Sequence, residues 1–113
     1  MQNNRKYPRI PVVMLVRLTP RGAQTTSDAL VREVCTHGMG IYTQDHYEKG
    51  DFLIAEVSFV TEKGEINESV LTEVVWVNPI EESDQYAVGL HFDGLEKDKP
   101  QLYAYLKYLE ARV

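Results

Sequence analysis

From Phe52 to Phe59 the chain alternates without interruption, with Phe52, Ile54, Glu56 and Ser58 on one side and Leu53, Ala55, Val57 and Phe59 on the other. A period of two belongs to a β-strand, and a uniformly apolar side belongs against a core. Five further segments fit the same reading. Ile10 to Leu18 is a β-branched and apolar run ended by the turn-forming Thr19-Pro20-Arg21-Gly22. Ala29 to Val34 reads as extended, with Leu30, Arg32 and Val34 expected on one side and Val31 and Glu33 on the other. Gly38 and Gly40 bracket Met39 and predict a bend or bulge before Ile41-Tyr42-Thr43 resumes extended structure. A hairpin turn at Glu62-Lys63-Gly64-Glu65 leads into a strand from Ser69 to Val77, and the acid-rich loop from Pro79 to Asp84 separates this from Tyr86 to Phe92. About six short strands at this spacing predict an all-β barrel or sandwich.

The end of the chain changes period. Pro100 suits a first helical position, and Leu102, Leu106 and Leu109 recur at i, i+4 and i+7, which predicts a closing helix over 99–111. Such a helix either caps one mouth of the β-structure or offers its tyrosines to a partner. The first nine residues are polar and basic, with Pro8 barring regular pairing, and read as a mobile arm ahead of a β-region spanning 10–92. All of this fits one domain, since 113 residues suffice to bury a single modest core.

Composition narrows the function. With only Cys35 available, no intrachain disulfide can form, which points to a reducing, cytoplasmic setting, and neither a signal peptide nor a membrane-spanning stretch is visible. A net charge of −5 argues against general DNA or RNA binding. The charge is unevenly spread, however. Residues 1–32 carry six basic side chains against the single acid Asp28, a net of +5, whereas residues 33–113 carry six against sixteen, a net of −10. An anionic ligand therefore docks by preference near the N-terminal section.

An enzyme is not expected, because no acid/base pair, nucleophile triad or phosphate loop can be assembled from these residues. Cys35 and His37 share a strand face, but no orienting acid or further ligand accompanies them, so neither a nucleophile nor a metal site follows. Cys35 reads as a small half-buried side chain and His91 as an outward-facing strand residue. Trp76, between Val75 and Val77, reads as a core or barrel-rim residue in preference to a base-stacking platform.

Arg5-Lys6-Tyr7-Pro8-Arg9 sets two guanidinium groups four positions apart on the arm. Each planar fork bonds bidentately to phosphate or to the O6/N7 edge of guanine and stacks on a base, so two forks on one arm suit a guanine nucleotide.

Arg5 and Arg9 match an RxxxR motif, and Glu33-Val34-Cys35-Thr36-His37-Gly38 stands where a (D/N)xSxxG motif would follow. Together with Lys49-Gly50-Asp51, Val74-Val75-Trp76-Val77 and Tyr86 to Phe92, this order resembles the PilZ domain family over nearly the whole chain. The resemblance implies a small six-stranded antiparallel β-barrel with a C-terminal α-helix, and a non-enzymatic receptor for cyclic di-GMP needing no cofactor or metal. It implies that Arg5 and Arg9 hold phosphate and guanine edges while Glu33, Cys35 and Gly38 line the opposite wall. It implies also a downstream protein partner, in a monomer or homodimer with no membrane insertion.

The second motif departs from the family at Glu33, which stands for Asp or Asn, and at Cys35, which stands for Ser. A thiol is a weak donor, so a contact made by serine loses about 1 kcal/mol here, a several-fold change in affinity. The alternative implied by these two departures is a PilZ-like protein–protein adaptor that no longer binds the nucleotide.

Overall fold

The computed structural model describes residues 10–111, with side-chain surroundings from Met14 onward. Six strands come first: β1 (Ile10–Pro20), β2 (Ser27–Cys35), β3 (Gly38–Thr43), β4 (Phe52–Thr61), β5 (Gly64–Pro79) and β6 (Tyr86–His91). A single-turn helix α1 (Leu95–Asp98) and the longer α2 (Pro100–Ala111) follow. All strand pairs are antiparallel, and the sheet closes on itself in the order β1-β2-β3-β6-β5-β4, with β4 returning to β1. The expectation of a six-stranded barrel with a C-terminal helix is thereby met, and closure gives every strand two paired neighbours, β1 meeting β4 over Val16–Pro20.

Alternation builds the interior. In β4 Leu53, Ala55, Val57 and Phe59 are buried while Phe52, Ile54, Glu56, Ser58 and Val60 face outward. Val16 and Leu18 of β1, Ile41 of β3, Val74 of β5 and Val88 of β6 meet them, each at most 1% exposed. Side chains of this size stabilise by roughly 1.5–3 kcal/mol each on full burial. Thr72 is buried among them, and its hydroxyl donates to the Leu53 carbonyl at 2.8 Å, which removes the cost of an unpaired polar group.

The ends are closed by what lies between and after the strands. Leu102 and Leu106 of α2 are buried together with Phe92 and Leu95, and Tyr105 stacks on Phe59 with ring centroids 4.9 Å apart. Of the two roles left open for the helix, it takes that of a plug over one barrel mouth. In the β3–β4 connection Tyr47 is buried, and its hydroxyl donates to Asp45 at 3.2 Å. Burial first, and then the charges of Asp45 and Asp51, push the Tyr47 phenol above the ordinary tyrosine range.

Candidate functional site

Glu33 and Cys35 lie at the end of β2 and Gly38 at the start of β3, joined by the turn at Thr36-His37. Arg5 and Arg9 fall outside the described residues. The turn is tied by its own side chains: the His37 amide donates to Cys35 Sγ at 3.4 Å, and Thr36 Oγ1 lies 3.1 Å from His37 Nδ1. Cys35 is half-buried, and its sulfur is set by the turn.

The strict alternation expected for Ala29 to Val34 does not hold, and the departure builds the site. The β2–β3 register passes from Val31 opposite Ile41 to Glu33 opposite Gly40, so Arg32 is the extra residue of a bulge. Val31 and Val34 both point inward, three apart, and Arg32 and Glu33 both stand outside. A Cβ built on Gly40 would come within 3.2 Å of Glu33 Cγ and 3.7 Å of Arg32 Cγ, which places both side chains over that glycine.

A second bulge faces the first. Between β5 and β6 the register passes from Val74 opposite Leu90 to Trp76 opposite Gly89, so Val75 is extra. A Cβ on Gly89 would fall 2.2 Å from Trp76 Nε1 and 2.3 Å from Cε2, so the indole lies directly against the outer side of the Gly89 backbone. Trp76 is therefore neither core nor rim; it is half-buried on the outside, and only the absence of a side chain at Gly89 lets the ring lie there.

Gly40 and Gly89 are themselves paired across β3 and β6. One row thus runs Glu33, Gly40, Gly89, Trp76 across four strands, about 14 Å around the sheet at ordinary strand spacing. On one side of it runs Cys35, Gly38, His91, Glu73, and on the other Leu30, Tyr42, Ala87, Asn78. The outward positions of β3 and β6 are Gly38, Gly40 and Tyr42, and Ala87, Gly89 and His91, since Met39, Ile41, Val88 and Leu90 point into the core. Four of these six carry a methyl or nothing. This face, the trough, is low in side chains, and its two central glycines are buried, Gly40 under Arg32 and Glu33 of β2 and Gly89 under the indole of β5.

Gly38 has a second duty: a Cβ there would meet the Leu90 carbonyl oxygen at 2.3 Å, so the close approach of β3 and β6 depends on it. The Arg32 guanidinium lies over the Tyr42 ring, 5.1 Å from its centroid. His91 Nε2 lies 3.0 Å from Asp93 Oδ1 at the trough's end. Among the described residues no group of three or more His, Cys, Asp or Glu side chains is placed to hold a metal ion, and no helix is long and apolar enough to cross a membrane.

The structure brings Glu33, Cys35 and Gly38 together, as expected from sequence, and adds Arg32, Gly40, Tyr42, Trp76 and Gly89. A signal for these was present: apolar residues three apart, Val31 to Val34 and Val74 to Val77, break a period of two and mark bulges. Small residues at alternate positions, Gly38 and Gly40 and then Ala87 and Gly89, mark a face stripped of side chains.

A family model described as PilZ domain matches residues 3–108. No curated protein matches the chain. Among solved structures, the inhibitor of motility MotI (DgrA) of Bacillus subtilis superposes with a TM-score of 0.78 at 17% identity, covering 98% of this chain and 52% of that one. The PilZ domain of YcgR from Escherichia coli, solved with c-di-GMP, gives 0.69 at 16% identity, covering 97% of this chain and 94% of that one. MrkH of K. pneumonia, in its c-di-GMP complex, gives 0.63 at 16% identity, covering 98% and 54%. The chain thus spans about half the length of MotI and MrkH.

Proposed function

This chain belongs to the PilZ domain family, and from that premise we propose that it is a non-enzymatic receptor for cyclic di-GMP. The dinucleotide lies along the trough, with Glu33, Cys35 and Gly38 at one wall, and Arg5 and Arg9 close over it from the arm. The observation that carries this reading is the row Glu33, Gly40, Gly89, Trp76: two paired glycines with a carboxylate-bearing side chain lying over one and an indole over the other.

The chemistry suits the ligand. A carboxylate accepts the N–H groups of a guanine edge, and an indole held flat against a strand offers a purine a stacking surface worth roughly 1–3 kcal/mol per base. Two guanidinium forks complement two phosphates. Binding by differential affinity is what a regulatory module needs, and it requires no catalysis.

Calorimetric titration with cyclic di-GMP, followed in parallel by Trp76 fluorescence, tests the proposal. Saturable heat with a change in emission is expected, both strongly weakened in Arg5→Ala/Arg9→Ala; no heat and no emission change from the unaltered chain at high micromolar ligand would end it. A second reading, the ligand-free adaptor, has in its favour an exposed apolar area away from the trough: Val60 is 72% and Tyr108 55% exposed beside the β4–β5 hairpin. An adaptor keeps its partner when Arg5 and Arg9 are replaced.

A further inference from the structure

The bulge in β2 does more than bring Glu33 outward. A regular strand would send Arg32 to the side opposite Glu33, and the extra residue instead sets both over Gly40. Arg32 is exposed, but it is not loose. Its guanidinium lies 5.1 Å from the centroid of Tyr42, a half-buried residue of the next strand. The ring thus holds the guanidinium while the residue stays exposed to solvent.

The other arginines described near strands are engaged elsewhere. Arg17 pairs with Asp28 and Glu56 on the β1 side of the barrel, and Arg21 lies over Phe52, 4.4 Å from its centroid. Among the described residues no carboxylate is in ion-pair contact with Arg32. A cation held by an aromatic ring, unpaired, at the wall of a trough is arranged for an anion that arrives from outside.

We propose, on the basis of the receptor reading above, that Arg32 stacked on Tyr42 is a preordered phosphate contact of the barrel itself. It gives the dinucleotide a foothold on the barrel in addition to Arg5 and Arg9. The physical reason is entropic. A fork already held against a ring loses little freedom on bonding a phosphate. The contact belongs to the barrel and is independent of Arg5 and Arg9. Loss of the arm's charges leaves a weaker complex that depends on Arg32.

The experiment titrates the full chain with cyclic di-GMP at two salt concentrations, in the unaltered protein, Arg32→Gln, Arg32→Lys, Tyr42→Leu, Arg5→Ala/Arg9→Ala, and the triple variant that adds Arg32→Gln. Arg32→Gln is expected to weaken binding about tenfold or more and to flatten its salt dependence. Arg32→Lys keeps the charge without the fork and falls between. Tyr42→Leu, which releases the fork but leaves it present, weakens binding a few-fold. Residual binding by the double variant at high micromolar ligand is expected, and its disappearance in the triple variant supports a contact independent of Arg5 and Arg9. An unfolding midpoint for Arg32→Gln equal to that of the unaltered chain assigns the loss to the contact. Binding by Arg32→Gln within twofold of the unaltered chain overturns this inference and leaves the receptor reading standing. Failure of the unaltered chain to bind overturns both.

Discussion

Replacing Gly89 by alanine sets a methyl group where the indole of Trp76 now lies, 2.2 Å from Nε1, 2.3 Å from Cε2 and 2.7 Å from Cδ1. Non-bonded carbon atoms rest at about 3.5–4.0 Å, so the ring has to rise by roughly 1–1.5 Å. It is half-buried and can lift into solvent, which converts an unrelieved clash into lost packing on β6. Overpacking of this kind costs about 1–3 kcal/mol, against a gain of about 0.4–1 kcal/mol from the smaller entropy of the unfolded chain, for a net loss of about 1–2 kcal/mol. The unfolding temperature then falls by roughly 4–8 °C. Trp76 is the sole tryptophan of the chain, so its fluorescence reports on this ring alone. Emission at longer wavelength and easier quenching by acrylamide are expected, along with an approximately tenfold loss of cyclic di-GMP affinity as the stacking surface moves. Gly40→Ala is the control, since its methyl meets the flexible Glu33 side chain at 3.2 Å and leaves stability within about 0.5 kcal/mol. An unchanged spectrum and midpoint for Gly89→Ala would mean that the indole does not lie on this glycine, and the trough would go with it. A shifted spectrum with unaltered affinity would retain the geometry and refute the stacking role.

Three other outcomes follow from the same geometry. Cys35→Ser restores a strong hydroxyl donor at the wall and is expected to raise cyclic di-GMP affinity several-fold, about 1 kcal/mol, in a calorimetric titration; equal or weaker binding counts against a ligand contact at this position. Gly38→Ala drives a methyl into the Leu90 carbonyl oxygen, 2.3 Å away, where only the backbone can give, and is expected to lower stability by about 2–3 kcal/mol in urea titration, more than Gly89→Ala does. Tyr47 is the pH-sensitive case. Its folded-state phenol is held above the usual range by burial and by Asp45 and Asp51, so the unfolded chain loses this proton first as pH rises. The contribution is whole below pH 10 and declines above it, hence stability of the unaltered chain should fall more steeply between pH 10 and 11 than that of Tyr47→Phe, and parallel curves would refute the assignment.

The fold was legible because its information is local and periodic. Leu53, Ala55, Val57 and Phe59 state the inner face of β4 residue by residue, and Leu102 and Leu106 state the buried side of α2. The site was legible only in part because it depends on pairing between strands distant in sequence. Nothing beside Trp76 in the chain says that its partner is Gly89, thirteen positions on, and without that partner an indole between two valines reads as core. Glu33 and Val34 were set on the wrong sides for a related reason: a period of two was extended through Arg32, a residue that the β3 register leaves unpaired, so Glu33 was grouped with the buried Val31 and Val34 with the exposed Leu30. Glu33, Cys35 and Gly38 could be grouped from sequence because they lie within six consecutive residues, where neighbours in sequence remain neighbours in space.

Why the site lies outside the barrel follows from the barrel's size. Six strands enclose too little room for a ligand once Val16, Leu18, Ile41, Leu53, Val74 and Val88 are inside, each at most 1% exposed. Any binding surface must then be made on the outer wall, where regular alternation yields convex, side-chain-covered strands. Two devices turn part of that wall into a receptacle. Glycines at Gly38, Gly40 and Gly89 lower the floor, and bulges at Arg32 and Val75 swing a second side chain outward at each border, giving an acid and a cation on β2 and an indole on β5. Each device disturbs the ladder locally, and neither improves the core. Their coincidence on one face, Gly40 opposite Gly89 with a bulge flanking each, is what a ligand site requires and what packing alone would not select.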